Sequence, residues 1–301
     1  MTLAPETASS RSFRIGAHGF AAARPQPGLY IVATPIGNLG DVTLRALETL
    51  AAADVIACED TRITRRLLDR YGIETRLVAY HDHNAEQTRP RLLARLAEGA
   101  VVAQVSDAGT PLVSDPGYKL VAAAIEAGHR VVPLPGASAS LAALVAAGLP
   151  TDRFFFEGFL PAKSGARRTR ISELKTLPAT LLLYESGPRL PDSLADLAEG
   201  LGARPAAVCR ELTKAFEEAR RDTLDALAAF YAEAGPPRGE IVIVVGAPGA
   251  EESSEADLDV ALKQALASLS VKDAAAAVAT ATGLPRRAVY ARALALQSGD
   301  G

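Results

Sequence analysis

The sequence predicts an α/β protein of two domains followed by a small helical tail. Three observations carry that expectation. Short apolar runs alternate with stretches of helical periodicity along the first half of the chain. A second series of such runs begins after Gly148-Leu149-Pro150. The chain is also 301 residues long, where single domains commonly run to about 100–200.

Residues 1–27 hold Arg11, Arg14 and Arg24, a group of serines (Ser9, Ser10, Ser12) and a single acid, Glu6. That mildly resembles a transit peptide, but the continuous apolar core of a secretory signal is missing. They are expected to form a disordered extension.

From Gly28 the pattern becomes regular. Leu29 to Ala33 reads as a strand ending at Thr34-Pro35, and Asp41 to Leu50 as a helix with Asp41 as candidate N-cap. Val55–Cys58 is the next strand, with a helix near Thr64–Tyr71 behind it. Val101–Val105 and Arg130–Leu134 follow, each after a helical stretch closed by glycine (Gly99, Gly128). This spacing indicates βαβ units and a mainly parallel sheet over residues 28–149.

The second domain, residues 150–248, offers strands at Arg153–Glu157, Ala179–Tyr184, Pro205–Arg210 and Glu240–Val245. Helices are expected at Pro188–Glu199 and Thr223–Ala234. Residues 249–259 read as an acidic linker. Residues 260–301 carry three short helical patterns, the last starting near Pro285 with Arg286, Arg287 and Arg292.

Composition narrows the function. With 49% hydrophobic residues, the chain can bury a large core. Its 32 basic and 35 acidic residues leave a net charge of −3, so nucleic acid would have to be held by a local basic patch. The 2 cysteines, Cys58 and Cys209, give no disulfide framework and fit a reducing, cytoplasmic setting. The longest charge-free apolar stretch, Val131–Thr151, is broken early by Pro133, Pro135 and Gly136. What remains is too short to cross roughly 30 Å of hydrocarbon.

Glycine- and proline-rich loops follow three strands of the first domain: Thr34–Asp41, Ser106–Gly117 and Pro135–Ala139. In a parallel sheet, loops at the carboxyl ends of the strands share one edge, where ligands bind. None ends in Gly-Lys-Ser/Thr and none has the G-x-G-x-x-G spacing, which argues against a P-loop nucleotide and a standard dinucleotide. Taken singly, each loop also reads as ordinary turn punctuation.

Eight motifs in this order resemble one family. They are Thr34-Pro-Ile-Gly-Asn-Leu39, Cys58-Glu-Asp-Thr-Arg62, Val105-Ser-Asp-Ala-Gly-Thr-Pro111 and Ser114-Asp-Pro-Gly117. Pro135-Gly-Ala-Ser138, Phe156-Glu-Gly-Phe-Leu-Pro161, Tyr184-Glu-Ser186 and Arg210-Glu-Leu-Thr-Lys214 complete the set. The family is the small-subunit ribosomal RNA cytidine 2′-O-methyltransferases of the tetrapyrrole (corrin/porphyrin) methylase fold. The resemblance spans about Gly28 to Gly246 and leaves residues 1–27 uncovered. It implies a two-domain tetrapyrrole methylase-like fold with a parallel first sheet and a mixed second sheet. It also implies S-adenosyl-L-methionine held between the domains, a homodimer, and a decoding-centre cytidine of 16S rRNA in the small ribosomal subunit as target.

On that reading Thr34, Pro35, Gly37, Asp107, Gly109, Thr110, Val113, Ser114, Ala137, Ser138 and Leu160 are the candidate cofactor residues. Asp107, Thr110, Ser114 and the backbone at Gly109 and Ala137 can serve its polar part. Pro35, Leu112, Val113 and Leu160 can line an adenine slot. Asp107 could instead cap a turn, and Asp115, before Pro116-Gly117, reads as a helix cap.

Removing a proton from a ribose hydroxyl calls for positioning and a nearby base. Asp60 and His83, on turns after strands of the first domain, are candidates, with Glu211 and Lys214 approaching from the second. His81 and His83 flank Asp82, but the only other histidines are His18 and His129, so no metal is expected. A solvated polar turn is the alternative there.

Lys163, Arg167, Arg168, Arg170 and Lys175 lie within 13 positions beside the single acid Glu173, a local charge of +4. With Arg62, Arg65 and Arg66 they are the candidate RNA-phosphate contacts. A solvated face is the alternative for both groups. Two other functions remain open. One is a methyltransferase acting on a tetrapyrrole ring carbon. The other is a non-enzymatic nucleic-acid-binding protein using the arginines of the tail.

Overall fold

A computed structural model describes residues 11–114, 117–249 and 255–298. The chain forms two compact units. The first runs up to Ala142 and takes in Glu211–Glu217. The second comprises Ala143–Arg210 and the residues from Glu218 onward.

The first unit opens with a hairpin, β1 (Ser12–Ile15) and β2 (His18–Ala21), where the sequence suggests a disordered extension. Gly16, at φ +60°, makes the turn, and Phe13 stacks on Phe20 at 5.4 Å. Phe13 is buried in the core, which stabilises the hairpin by about 2 kcal/mol. Arg11 and Arg24 clamp Asp54 at 2.7 and 3.0 Å. The arginines that suggested a transit peptide thus fasten the segment down. Residues 1–10 lie outside the described residues.

The central elements are β3 (Gly28–Val32), α1 (Leu44–Ala52), β4 (Val55–Cys58), α2 (Thr61–Arg70), β5 (Leu77–Ala79), α3 (Ala85–Ala97), β6 (Val101–Gln104), α4 (Tyr118–Glu126), β7 (Val131–Leu134) and α5 (Ala139–Ala147). The strands are all parallel, in the order β5-β4-β6-β3-β7. Alternating side chains serve opposite faces. Tyr30, Val32, Ile56, Cys58, Val101 and Ala103 pack with α1 and α2. Leu29, Ile31, Val55, Ala57 and Val102 pack with α3 and α4. Thr43, rather than Asp41, caps α1, its hydroxyl accepting from the Ala46 N–H at 3.1 Å. Asp41 instead ends a short 3₁₀ turn.

This order creates a switch point. The chain leaving β3 crosses towards β4 on the α1 face. The chain leaving neighbouring β6 crosses the opposite way to β7 on the α4 face. Two connections that diverge from adjacent strands leave a crevice at their carboxyl ends.

The second unit holds β8 (Phe154–Phe159), α6 (Ser164–Leu174), β9 (Thr180–Ser186), α7 (Leu190–Leu201), β10 (Pro205–Arg210), β11 (Glu218–Thr223), α8 (Leu224–Ala234) and β12 (Glu240–Val245). The sheet order is β11-β10-β12-β9-β8, with only the β8–β9 pair parallel. This is the mixed sheet that the family resemblance implies. β11, Glu-Ala-Arg-Arg-Asp-Thr, is an edge strand whose charges give no apolar signal in the sequence.

Residues 250–254, part of the expected acidic linker, lie outside the described residues, and α9 (Glu255–Leu266) starts earlier than expected. With α10 (Val271–Thr282) and α11 (Arg286–Ser298) it encloses a small core of Leu262, Ala275, Val278, Val289 and Ala293. Arg292, one of the tail arginines, is paired with Asp259 at 2.6 Å. Among the described residues, no helix is long and apolar enough to cross a membrane.

Candidate active site

The switch point is closed by backbone. Thr34, just past β3, and Gly109, past β6, exchange hydrogen bonds of 2.8 and 3.0 Å. The Thr34 hydroxyl donates to the Ser106 carbonyl at 3.2 Å, and the Thr110 hydroxyl donates to the Ala137 carbonyl at 3.2 Å. Hydroxyl and backbone groups thus stitch the three loops found in the sequence into one floor. Gly109 stands at φ +77°, a conformation natural for glycine, and a Cβ there would sit 3.3 Å from Ile36. Pro35 is buried, Gly37 is exposed, and Ser138 lies 3.0 Å from Ser140, hydroxyl to hydroxyl.

Asp107 is drawn inward. Its carboxylate accepts from the Asp60 N–H at 3.0 Å. Burial pushes its pKa up, although that hydrogen bond works in the other direction. Asp60 has the opposite character. It caps α2 and holds Arg62 in an ion pair of 2.6 Å, and Arg62 brings the Asp60 pKa down to about 2. Arg62, Arg65 and Arg66 share one face of the first turns of α2, at the same sheet edge.

The segment Glu211–Glu217 belongs to this unit, so Glu211 and Lys214 stand beside the first sheet's loops. The Lys214 ammonium lies 2.8 Å from the Glu211 carboxylate. Its stem covers Gly37 so closely that a Cβ there would stand 2.5 Å from Lys214 Cγ. The Thr213 hydroxyl accepts from the Asn38 N–H at 3.1 Å. The non-glycine residues with positive φ among the described residues are Leu112, Ser114, Glu211 and Thr213. All lie on the Ser106–Gly117 loop or this segment, and such backbone strain gathers at functional sites. Val113 and Ser114 are exposed on that loop, and Asp115 lies outside the described residues.

After β5, Asn84 braces the turn, accepting from the His81 N–H at 2.9 Å and donating to the Ala79 carbonyl at 3.0 Å. His83 is exposed and meets His81 edge to face, ring centres 5.9 Å apart. Beside this turn opens a cavity of 310 Å³, lined by Tyr80, Asp82, Leu112, Ser114 and Tyr118 among others. Tyr80 and Tyr118 are not evident from the sequence as site residues. Each reads there as an ordinary aromatic at an element boundary.

Other expectations change. Leu160 is 2% exposed in the core of the second unit, where packing occupies the side chain expected to line an adenine slot. Arg167 is buried rather than displayed. Its guanidinium pairs with Asp196 at 2.6 Å, and Asp196 also holds Arg168 at 2.8 Å. Arg170 is gripped by Glu157 at 2.7 Å and by Glu173 at 2.5 Å. Burial raises the Asp196 pKa, but the hydrogen bonds from Arg167 and Arg168 outweigh it and hold the group below its ordinary value. The sequence window counts one acid, whereas the fold adds Glu157, Asp196 and Glu199. Lys163 is exposed at the start of α6.

Comparison with known proteins agrees with this architecture. Residues 28–228 match the family described as Tetrapyrrole (Corrin/Porphyrin) Methylases, and residues 252–297 match the RsmI C-terminal HTH domain. A relative from Mesorhizobium japonicum, called ribosomal RNA small subunit methyltransferase I, is 57% identical over 93% of this chain and 96% of its own. A protein of the same name from Escherichia coli O157:H7 is 50% identical over 90% and 96%. The solved uroporphyrin-III C-methyltransferase of Thermus thermophilus, in complex with S-adenyl homocysteine, is similar in fold. Its TM-score is 0.51 at 21% identity, over 72% of this chain and 96% of that one. With family and relatives spanning both units and the tail, the chain belongs to the tetrapyrrole (corrin/porphyrin) methylase family, among its ribosomal RNA small subunit methyltransferase I members.

Proposed function

We propose that this protein is an S-adenosylmethionine-dependent methyltransferase that methylates the ribose 2′-hydroxyl of a decoding-centre cytidine in 16S rRNA, on the small ribosomal subunit. The observation that carries the reading is the Thr34–Gly109 bridge at the switch point, with the half-buried Asp107 carboxylate beside it. The relatives' names supply the substrate class.

The residues present suit the cofactor. Asp107 can pair with its ammonium group, which would offset the carboxylate's burial. Backbone at Gly37, Gly109 and Ala137 can approach it closely, and Thr110, Ser114 and Ser138 offer hydroxyls. When bound, S-adenosylmethionine supplies a methyl group activated on a sulfonium sulfur.

The chain's own part is positioning. Lys214, held by Glu211 and laid over Gly37, is suited to hydrogen-bond the acceptor oxygen and stabilise negative charge as its proton leaves. Asp60, at about 2, is too weakly basic to take that proton at neutral pH, and serves to fix α2 and Arg62. His83, exposed on the turn after β5, remains the candidate proton acceptor. Arg62, Arg65, Arg66 and Lys163 are the candidate phosphate contacts, with Arg168 and Arg170 contributing less because they are already paired. A homodimer in the cytoplasm follows from the family resemblance.

The test is transfer of labelled methyl from S-adenosylmethionine to purified small subunits, to naked 16S rRNA and to porphyrinogens. The reading requires label in the subunits. Label in porphyrinogens alone would assign the chain to ring-carbon methylation instead.

A further inference from the structure

The cavity beside β5 has features that the cofactor does not explain. Tyr80 lines it and is only 4% exposed; the Arg89 side chain beside its hydroxyl can only donate, so the hydroxyl proton has no acceptor. A buried hydroxyl proton without an acceptor costs about 1–3 kcal/mol, which a bound group that accepts it would offset. Tyr118 stands at the rim, 65% exposed. Asp82 adds a carboxylate, Ser114 a hydroxyl on strained backbone at φ +61°, and Lys119 an exposed cation.

This set has the makings of a nucleotide pocket: an aromatic face for stacking, a buried hydroxyl with an exposed carboxylate for a base edge, and a cation for phosphate. Its volume, 310 Å³, falls at the small end of ligand sites, which span about 300–1,000 Å³. Its place in the fold also fits. The first half of the Ser106–Gly117 loop ties down the Thr34 and Ala137 loops, while Leu112 and Ser114 from its second half line the cavity. One loop therefore serves both the cofactor floor and this pocket.

We propose that the cavity receives the base of the target nucleotide, a pyrimidine swung out of its stack. Tyr80 donates to a base carbonyl or ring nitrogen, Tyr118 stacks on the ring, and Asp82 accepts from the exocyclic amine that distinguishes cytosine from uracil. Burial raises the Tyr80 pKa against the opposing charge of Arg89, which keeps the phenol protonated as a donor at neutral pH. This rests on the RNA-methylating reading above.

The test uses the full-length protein, S-adenosylmethionine and purified small subunits carrying cytidine or uridine at the methylated position. Tyr80→Phe removes a hydroxyl whose proton has no acceptor in the protein, so its melting temperature should stay close to that of the wild type. Its kcat/KM should fall about tenfold, the scale of one hydrogen bond to a base removed. Asp82→Asn should narrow the preference for cytidine. Tyr118→Ala, an exposed change, should raise KM, and cofactor affinity by calorimetry should stay within twofold for all three variants. Unchanged kinetics in Tyr80→Phe and Tyr118→Ala would overturn the proposal, as would a parallel loss of cofactor affinity, which would give the pocket to the cofactor. If the wild type itself transfers no methyl to subunits, the functional reading fails first, a result distinct from variants that match an active wild type.

Discussion

The backbone N–H of Asp60 donates to the Asp107 carboxylate across 3.0 Å, tying the end of β4 to the end of its neighbour β6. Asp107 is the more buried partner and the one whose proton affinity burial raises. A carboxyl whose folded pKa lies above its unfolded one costs stability wherever it is ionised. That cost is relieved as pH falls through the raised value. Asp107→Asn keeps an oxygen for the Asp60 N–H and removes the charge. The variant without ligand should melt at or above the wild-type temperature at pH 7–8, with the difference closing as the pH is lowered. Its affinity for S-adenosylmethionine should drop by at least about tenfold, the scale of one charge-assisted hydrogen bond. Thermal scans with and without cofactor check both halves.

Lys214 is positioned by Gly37. A Cβ on residue 37 would enter the space of Lys214 Cγ and Cε, at 2.5 and 2.9 Å. Gly37→Ala should therefore fold and lower kcat by displacing the lysine. Lys214→Ala should cost about a hundredfold or more. In the Lys214→Ala background, Gly37→Ala should have little further effect, a non-additivity that a double-mutant cycle measures.

The basic residues separate into two classes. Arg167→Ala leaves Asp196 buried with Arg168 as its remaining ion-pair partner, and should cost about 3 kcal/mol of stability, read from denaturant unfolding. Joint replacement of Arg62, Arg65 and Arg66 should leave stability nearly unchanged. It should lower the salt slope of subunit binding by about 0.7 for each phosphate that the variant no longer neutralises. An unchanged slope would remove this face of α2 from the RNA footprint.

The family's loops were legible because glycine, proline and the strand that precedes each loop leave a local pattern. The burial alternation of β3, β4 and β6 was legible for the same reason. What escaped depends on partners distant in sequence. The cluster at Lys163–Lys175 reads as free charge until Glu157, from β8, and Asp196 and Glu199, from α7, arrive against it. The hairpin at Ser12–Ala21 shows Phe13 and Ile15 in alternation just before the Gly16-Ala17 turn, too brief a pattern to outweigh its arginines and serines. The place of Glu211 and Lys214 within the first unit could not be read from residues flanked on both sides by strands of the second. Tyr80 matters because its buried hydroxyl proton finds no acceptor, a property that no local pattern encodes.

No step in the proposed reaction needs a metal. Methyl transfer should survive extensive dialysis against a chelator at full rate. Loss that zinc restores would make the His81–His83 turn a metal site.

The most direct measurement is a mass-spectrometric map of ribose methylation on 16S rRNA from cells with and without the gene, repeated with the gene carrying Asp107→Ala. The account predicts one 2′-O-methylcytidine at the decoding centre, absent in the deletion, restored by the wild-type gene and diminished with the variant. Identical maps with and without the gene, or a missing mark on a base rather than a ribose, would contradict it.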